Sequence, residues 1–185
     1  MSVNSVKEAA ERMDKALVAL SHEFASVRTG RANGSILEKI TVDYYGVPTP
    51  LLQIAAVSVP EPQLLVVSPY DKSSLPAIER AIMASDLGLN PSNDGTVIRL
   101  PFPPLTEERR RELVKLCKHY AEEARVAVRN IRRDANEHFK RAEKDHEISQ
   151  DDLHRLEVET QKATDAHIAD IDELLKHKEA EIMEV

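Results

Sequence analysis

Thr106–Ala142, TEERRRELVKLCKHYAEEARVAVRNIRRDANEHFKRA, decides the fold. It contains neither glycine nor proline, the two strongest local breakers of a helix. Leu113, Cys117, Ala121, Ala124, Val128, Ile131, Ala135, His138 or Phe139, and Ala142 recur in steps of three and four, which keeps one apolar seam along a helix. Thr106 is a good N-cap, and Glu107 and Glu108 suit the positive first turn. At 1.5 Å per residue this helix reaches roughly 60 Å.

Both ends of the chain read the same way. Ser149 and Asp152 suggest a capping box that opens a further helix, with its seam at Leu153, Leu156, Thr160, Ala163, His167 or Ile168, Ile171, Leu175 and Ile182. Near the N-terminus, Val6, Ala10, Met13, Leu17, Leu20, Phe24 and Val27 give a third seam, along a helix of about seven turns. Three long helices with one apolar seam each bury those seams most readily against one another, so the flanks predict an elongated three-helix bundle.

All five glycines lie between Gly30 and Gly95, and all ten prolines between Pro48 and Pro104. The breakers are therefore confined to the middle of the chain. The expected division is residues 1–30 and 105–185 for the bundle, with 31–104 inserted between its first two helices. Ile40, Val42 and Tyr44 alternate as in a half-buried strand, and Gly46 with Pro48 marks a turn. Leu52–Val59 and Leu64–Val67 are further strand candidates, Ser73–Asp86 reads as helix, and Asn93-Asp94-Gly95 is a turn before a strand at Thr96–Leu100. The fold class is thus α+β, a helical bundle carrying a small β-rich domain. The connections are Arg28-Thr29-Gly30-Arg31 on the way in and Pro101-Phe102-Pro103-Pro104 on the way out. They form either a hinge or a packed boundary, and both readings stand on these residues.

Composition excludes several classes of function. One cysteine rules out an intramolecular disulfide framework and fits a reducing cytosol. No apolar run approaches the roughly 18 residues of a membrane span, and the acidic, interrupted start of the chain fits neither a secretory signal nor a transit peptide. There is no His-Glu-x-x-His, Cys-x-x-Cys, phosphate loop or Gly-x-Ser-x-Gly, so no metal, cofactor or catalytic residue is expected. Cys117 lies on an apolar seam and reads as a core thiol.

The net charge of −7 argues against a generic nucleic-acid binder. It hides an asymmetry, however. Residues 106–145 carry 12 Lys+Arg against 9 Asp+Glu, whereas residues 146–185 carry 4 against 12. On a helical projection Arg111, Lys115, Lys118, Arg125, Arg129, Arg132, Arg133 and Lys140 share one side of the second long helix, away from its seam, with Glu122 the only acid among them. A solvated face with its own ion pairs is the plainer explanation. The scarcity of acids, and the planar fork of arginine, favour RNA or another polyanion.

Five motifs resemble those of the ribosome recycling factors: Arg28-Thr29-Gly30-Arg31-Ala32, Asp43-Tyr44-Tyr45-Gly46, Ser85-Asp86-Leu87-Gly88-Leu89-Asn90-Pro91, Pro104-Leu105-Thr106-Glu107-Glu108-Arg109-Arg110, and Val128-Arg129-Asn130-Ile131-Arg132-Arg133-Asp134-Ala135. They occur in order along essentially the whole chain. The resemblance implies an elongated antiparallel three-helix bundle with an inserted β/α/β domain, together L-shaped. It implies a cytoplasmic, monomeric, non-enzymatic factor for translation termination and protein biosynthesis. Such a factor binds the large ribosomal subunit and its rRNA. With elongation factor G and GTP it splits the post-termination complex and promotes release of mRNA and tRNA, and initiation factor three acts indirectly by keeping the subunits apart. Carried over by position, the ribosome-contacting arginines are Arg28, Arg31, Arg110, Arg129, Arg132 and Arg133, and the hinge comprises Thr29, Gly30, Phe102, Pro103 and Pro104. Arg28 and Arg31 fit a structural role at the junction as well as they fit RNA contact. A scaffold rod explains the seams but not the acid-poor face, and an enzyme has no constellation to support it.

Overall fold

The structure, a computed structural model, describes residues Ser5–Glu184. In chain order its elements are α1 (Val6–Ala25), β1 (Thr41–Tyr44), β2 (Val47–Pro50), α2 (Leu51–Ile54), β3 (Ala55–Glu61), β4 (Leu64–Pro69), α3 (Leu75–Met83), β5 (Ser92–Asn93), β6 (Ile98–Pro101), α4 (Glu107–Lys144) and α5 (Gln150–Met183). By internal contacts the chain divides into two compact units. One holds the residues up to Phe24 with Val114–Ala180, the other Ala25–Leu113 with the residues from Glu181. These cuts fall inside the long helices, whereas the sequence suggests 30/31 and 104/105. Side-chain links explain the offset. Arg28 donates to the carbonyl of Pro103, Arg31 pairs with Glu184 and Arg110 reaches the carbonyl of Met183, so helix ends are tied to the linkers.

The first unit holds most of the three-helix bundle. Each helix starts at a side-chain cap. Ser5 Oγ accepts from Glu8 N at 3.1 Å, Thr106 Oγ1 from Arg109 N at 3.1 Å, and Ser149 Oγ from Asp152 N at 3.0 Å. The carboxylate of Asp152 accepts in return from Ser149 N at 3.4 Å, completing the capping box. The helix α4 ends in a Schellman arrangement, with Glu147 N donating to Ala142 O at 2.9 Å and His146 N to Glu143 O at 3.0 Å. His146 takes the left-handed position at φ 58°, which usually falls to glycine.

Partner pairs give the helix directions. Arg125 meets Asp172 and Arg132 meets Gln161, so α4 and α5 run antiparallel. Asp14 meets His167, with the imidazole Nε2 2.7 Å from the carboxylate and Nδ1 2.6 Å from Ala163 O. The bundle core mixes small and large residues: Ala9, Cys117, Ala121 and Ala135 are fully buried, as are Met13, Val128 and Ile171, and Phe24 and Phe139 are buried with them. The seams fall largely where the spacing puts them, and Phe139 rather than His138 takes the buried place on α4. Two differences stand out. The helix α1 has 20 residues, fewer than seven turns, because Val27 is buried beyond the helix end and not within it. On α5 the core also takes Thr164 and Lys178. The hydroxyls of Thr160 and Thr164 donate to the carbonyls of Leu156 and Thr160, at 2.7 and 2.8 Å, which satisfies them within their own helix.

The second unit contains the small α/β domain, where a four-stranded antiparallel sheet is ordered β3-β4-β6-β5 and β1 pairs with β2 in a separate hairpin. Leu37, Val42, Leu51, Leu65, Val67, Ile78, Ile98, Leu100 and Phe102 form its core. The hairpin turns through Tyr45 and Gly46, at φ 50° and 80°, as a two-residue type I′ loop requires. Tyr45 is held there by its hydroxyl, 2.8 Å from Asp71 Oδ2 and 3.0 Å from Ser73 Oγ.

Several local expectations need correction. Val47–Pro50 is a strand and not turn, because its two prolines lie in a two-stranded hairpin where missing donors are tolerated. Leu51–Ile54 is a helical turn and not the start of a strand, with Leu51 and Ile54 buried at i,i+3 and the residues between them exposed. The strand β6 begins at Ile98, since the Asp94 carboxylate takes the backbone N–H groups of Thr96 and Val97, each at 2.9 Å. The expected helix at 73–86 divides into a 3-10 turn at Lys72–Ser74 and α3.

Candidate nucleic-acid interface

The basic face of α4 begins at Arg111, whose Nη2 lies 2.6 Å from Glu107 Oε1 in an exposed i,i+4 pair. Lys115, Lys118, Arg133 and Lys140 are exposed, and none has a side-chain hydrogen-bond or ion-pair partner among the described residues. The other three basic residues are engaged to different degrees. Arg125 donates to Asp172 Oδ1 from Nε at 2.9 Å and from Nη2 at 2.6 Å, and its Nη1 reaches Glu122 Oε2 at 3.0 Å. Arg129 donates only from Nη1, to Glu122 Oε1 at 3.2 Å, and Arg132 only from Nη1, to Gln161 Oε1 at 3.1 Å.

This corrects one expectation. The face is acid-poor along its own helix, yet it is not free of neutralisation, because α5 brings Asp172 against Arg125. Arg125 belongs to the α4–α5 boundary, with its side chain only 20% exposed. The signal for this was the position of the turn, not anything in α4. An antiparallel hairpin that closes at residues 145–149 sets Arg125 opposite Asp172 and Arg132 opposite Gln161.

The six arginines carried over by position fall into two groups. Arg129, Arg132 and Arg133 share the basic side of α4, with Arg133 exposed and the other two half-buried. Arg28, Arg31 and Arg110 lie in the second unit. Arg28 stacks over the ring of Phe102, 5.5 Å from its centroid, and donates to Pro103 O. Burial, and then repulsion from Arg109, lower its proton affinity. Arg31 Nη2 lies 3.1 Å from Glu184 Oε1, and Arg110 Nη1 is 3.5 Å from Met183 O. Arg31 and Arg110 line a cavity of about 640 Å³ with Thr29, Gly30, Pro104 and Glu184. Of the residues assigned to a hinge, Phe102 is 1% exposed in the core of this unit, and its N–H donates to Gln63 O at 2.7 Å. It is an anchor for the chain. Pro103 and Pro104 are exposed, and Thr29 and Gly30 half-buried.

Among the described residues there is no cluster of three or more His, Cys, Asp or Glu side chains that could hold a metal ion, and no helix long and apolar enough to cross a membrane. Cys117 is fully buried, and burial pushes its thiol up to about 11.

Comparison with known proteins adds to this geometry. Residues 20–183 match the family described as ribosome recycling factor. The chain is 61% identical over 185 residues, the whole of both chains, to the ribosome-recycling factor of Geobacillus kaustophilus (strain HTA426). It is 60% identical over 185 residues, again the whole of both, to that of Bacillus cereus (strain AH187). Among solved structures it resembles a solution structure of the ribosome recycling factor at TM-score 0.78 and 46% identity, covering 97% of this chain and 96% of that one. It also resembles, at TM-score 0.67 and 48% identity over 97% of this chain and 100% of the other, a T. thermophilus ribosome recycling factor described with E. coli elongation factor G bound to the E. coli post-termination complex. The family match runs from the last turns of α1 through the inserted domain, α4 and α5, and the likeness to whole relatives covers the full length of both chains. The chain therefore belongs to the ribosome recycling factor family.

Proposed function

We propose that the protein binds the large ribosomal subunit through the arginines on the basic side of α4 and, with elongation factor G and GTP, splits the post-termination complex into subunits. The observation that carries this reading is the run Arg129, Arg132 and Arg133, in which each guanidinium keeps most of its N–H donors free. Free arginine forks on one helix face suit rRNA phosphates. The described relative, seen with elongation factor G on a post-termination complex, supplies the biological setting. In this reading the protein is a cytoplasmic monomer that performs no covalent chemistry and holds no cofactor. GTP is hydrolysed by the elongation factor, mRNA and tRNA leave, and initiation factor three keeps the subunits apart. Residues 31–104 act as the second domain, and Thr29, Gly30, Pro103 and Pro104 absorb backbone change between the two.

The test is co-sedimentation with purified large subunits, followed by subunit splitting with elongation factor G and GTP. Binding that weakens steeply with salt, and splitting that needs all three components, are expected. Binding insensitive to salt, or GTP turnover by the purified protein alone, contradicts the reading.

A further inference from the structure

We propose that Glu122 is an internal stand-in for phosphate that limits how tightly the α4 arginines hold RNA. The inference rests on the phosphate-binding reading of that face. Glu122 is the one acid on the basic face between Arg111 and Lys140, and its carboxylate is bracketed by two guanidinium groups. Oε2 lies 3.0 Å from Arg125 Nη1 and Oε1 lies 3.2 Å from Arg129 Nη1. An anion between two arginine forks is the arrangement that a phosphate oxygen pair adopts. The side chain of Glu122 is 55% exposed, so it stands where a ligand arrives and not behind the site. Its hydrogen bond with Arg125, and after that its bond with Arg129, hold the carboxyl below the usual carboxylate range. It is therefore charged at every pH at which a ribosome works.

The two arginines are not equivalent. Arg125 is fixed from its other side by Asp172, at 2.9 and 2.6 Å, and cannot turn outward without breaking those bonds. Arg129 is 43% exposed and bonded only through Nη1, so its Nε and Nη2 can meet a phosphate. A phosphate on Arg129 must then either sit within a few ångströms of the Glu122 carboxylate or displace it. Both weaken binding. For unit charges about 5 Å apart in a largely aqueous setting, the repulsion amounts to about a threefold to tenfold loss in affinity. The opposite role, in which Glu122 merely fixes Arg129 in place, is the smaller effect, because exposed ion pairs hold side chains only weakly. A binding factor that must leave the ribosome after each round gains from faster dissociation, the rate on which affinity changes mostly fall.

The experiment measures equilibrium binding and dissociation of the full-length protein on purified large subunits at two salt concentrations. It compares wild type with Glu122→Gln, Glu123→Gln, Arg129→Ala and Arg132→Ala. Glu123→Gln makes the same change in net charge one residue, or about 100°, round the helix and off the basic arc, where Glu123 pairs with His119. Glu122→Gln is expected to bind about threefold to tenfold tighter and to dissociate more slowly, with thermal unfolding unchanged and Glu123→Gln like wild type. In the Arg129→Ala background the gain from Glu122→Gln should shrink. Equal tightening by both glutamine variants overturns the proposal, since net charge alone then explains it. Unchanged or weaker binding by Glu122→Gln, with Arg129→Ala and Arg132→Ala still weakened, overturns the proposal and leaves the phosphate reading standing. If both arginine variants bind like wild type, the phosphate reading fails and the proposal falls with it.

Discussion

Arg125 and Arg132 lie seven residues apart on the same helix face, yet truncating them should produce opposite results. Arg125→Ala removes three charge-assisted hydrogen bonds, two to Asp172 and one to Glu122. Its side chain is only 20% exposed, whereas both acids are more than half exposed and rehydrate once released. The net loss is therefore well below the sum of three such bonds, about 1–2 kcal/mol with the lost packing of the stem. For a chain of this length that lowers the melting temperature by roughly 2–6 °C. Large-subunit binding should change little, because Arg125 has few donors to offer. Arg132→Ala removes one bond to a neutral amide, Gln161, and should cost about 0.5 kcal/mol or less. It should weaken binding about tenfold through the loss of one charge-assisted phosphate contact. The slope of log affinity against log salt should also fall by roughly 0.7–0.9. Arg132→Lys should restore only part of the affinity, because lysine keeps the charge and loses the fork. Thermal unfolding followed by circular dichroism, and co-sedimentation at two salt concentrations, give both readouts. If Arg125→Ala weakened binding as much as Arg132→Ala while leaving stability intact, sorting these arginines by their internal partners would be wrong.

Other predictions concern the bundle and the linkers. His146→Gly should stabilise the protein by about 0.5–1 kcal/mol in urea unfolding, since a non-glycine residue is strained at φ 58°. Cys117 should resist alkylation in the native protein at neutral pH and react on unfolding. Because its folded-state value is raised to about 11, the unfolded thiol loses its proton first as pH rises. The contribution of Cys117 to stability is thus intact below the ordinary thiol range and lost as pH climbs through that range to about 11, and Cys117→Ala should flatten this part of a stability–pH curve. Gly30→Pro should impair subunit splitting more than large-subunit binding, and equal loss of both would favour a packed boundary over a hinge.

The helices were legible because their signals are local and repeat. A seam such as Cys117, Ala121, Ala124, Val128 recurs every three or four residues, and caps such as Thr106 and Ser149 mark the starts. The inserted domain was harder, because its elements are short and one side-chain choice can shift a boundary. Leu51 and Ile54 look like strand residues by type, but they are buried together one helical turn apart. Asp94 delays β6 by capturing two backbone donors, which no residue within the strand announces. Lys178, 8% exposed, occupies a seam position that lysine identity argues against.

The interface was legible as a charge pattern and not as a set of roles. What separates a structural arginine from a binding one is how many of its N–H donors the protein already uses, and that depends on the neighbouring helix. Arg125 donates from all three of its nitrogens, Arg129 and Arg132 from one each, and Arg133 from none to any described residue. Commitment to the fold therefore falls along α4 from Arg125 to Arg133, and availability to phosphate rises in the same direction. The partners also differ in kind: Arg129 is bonded to a carboxylate that must be displaced or tolerated, whereas Arg132 is bonded to an amide that carries no charge. An alanine series should accordingly rank Arg125 first for loss of stability and last for loss of binding. Arg132 and Arg133 should take the reverse places, and Arg129 should lie between, its effect on binding growing once Glu122 is neutralised.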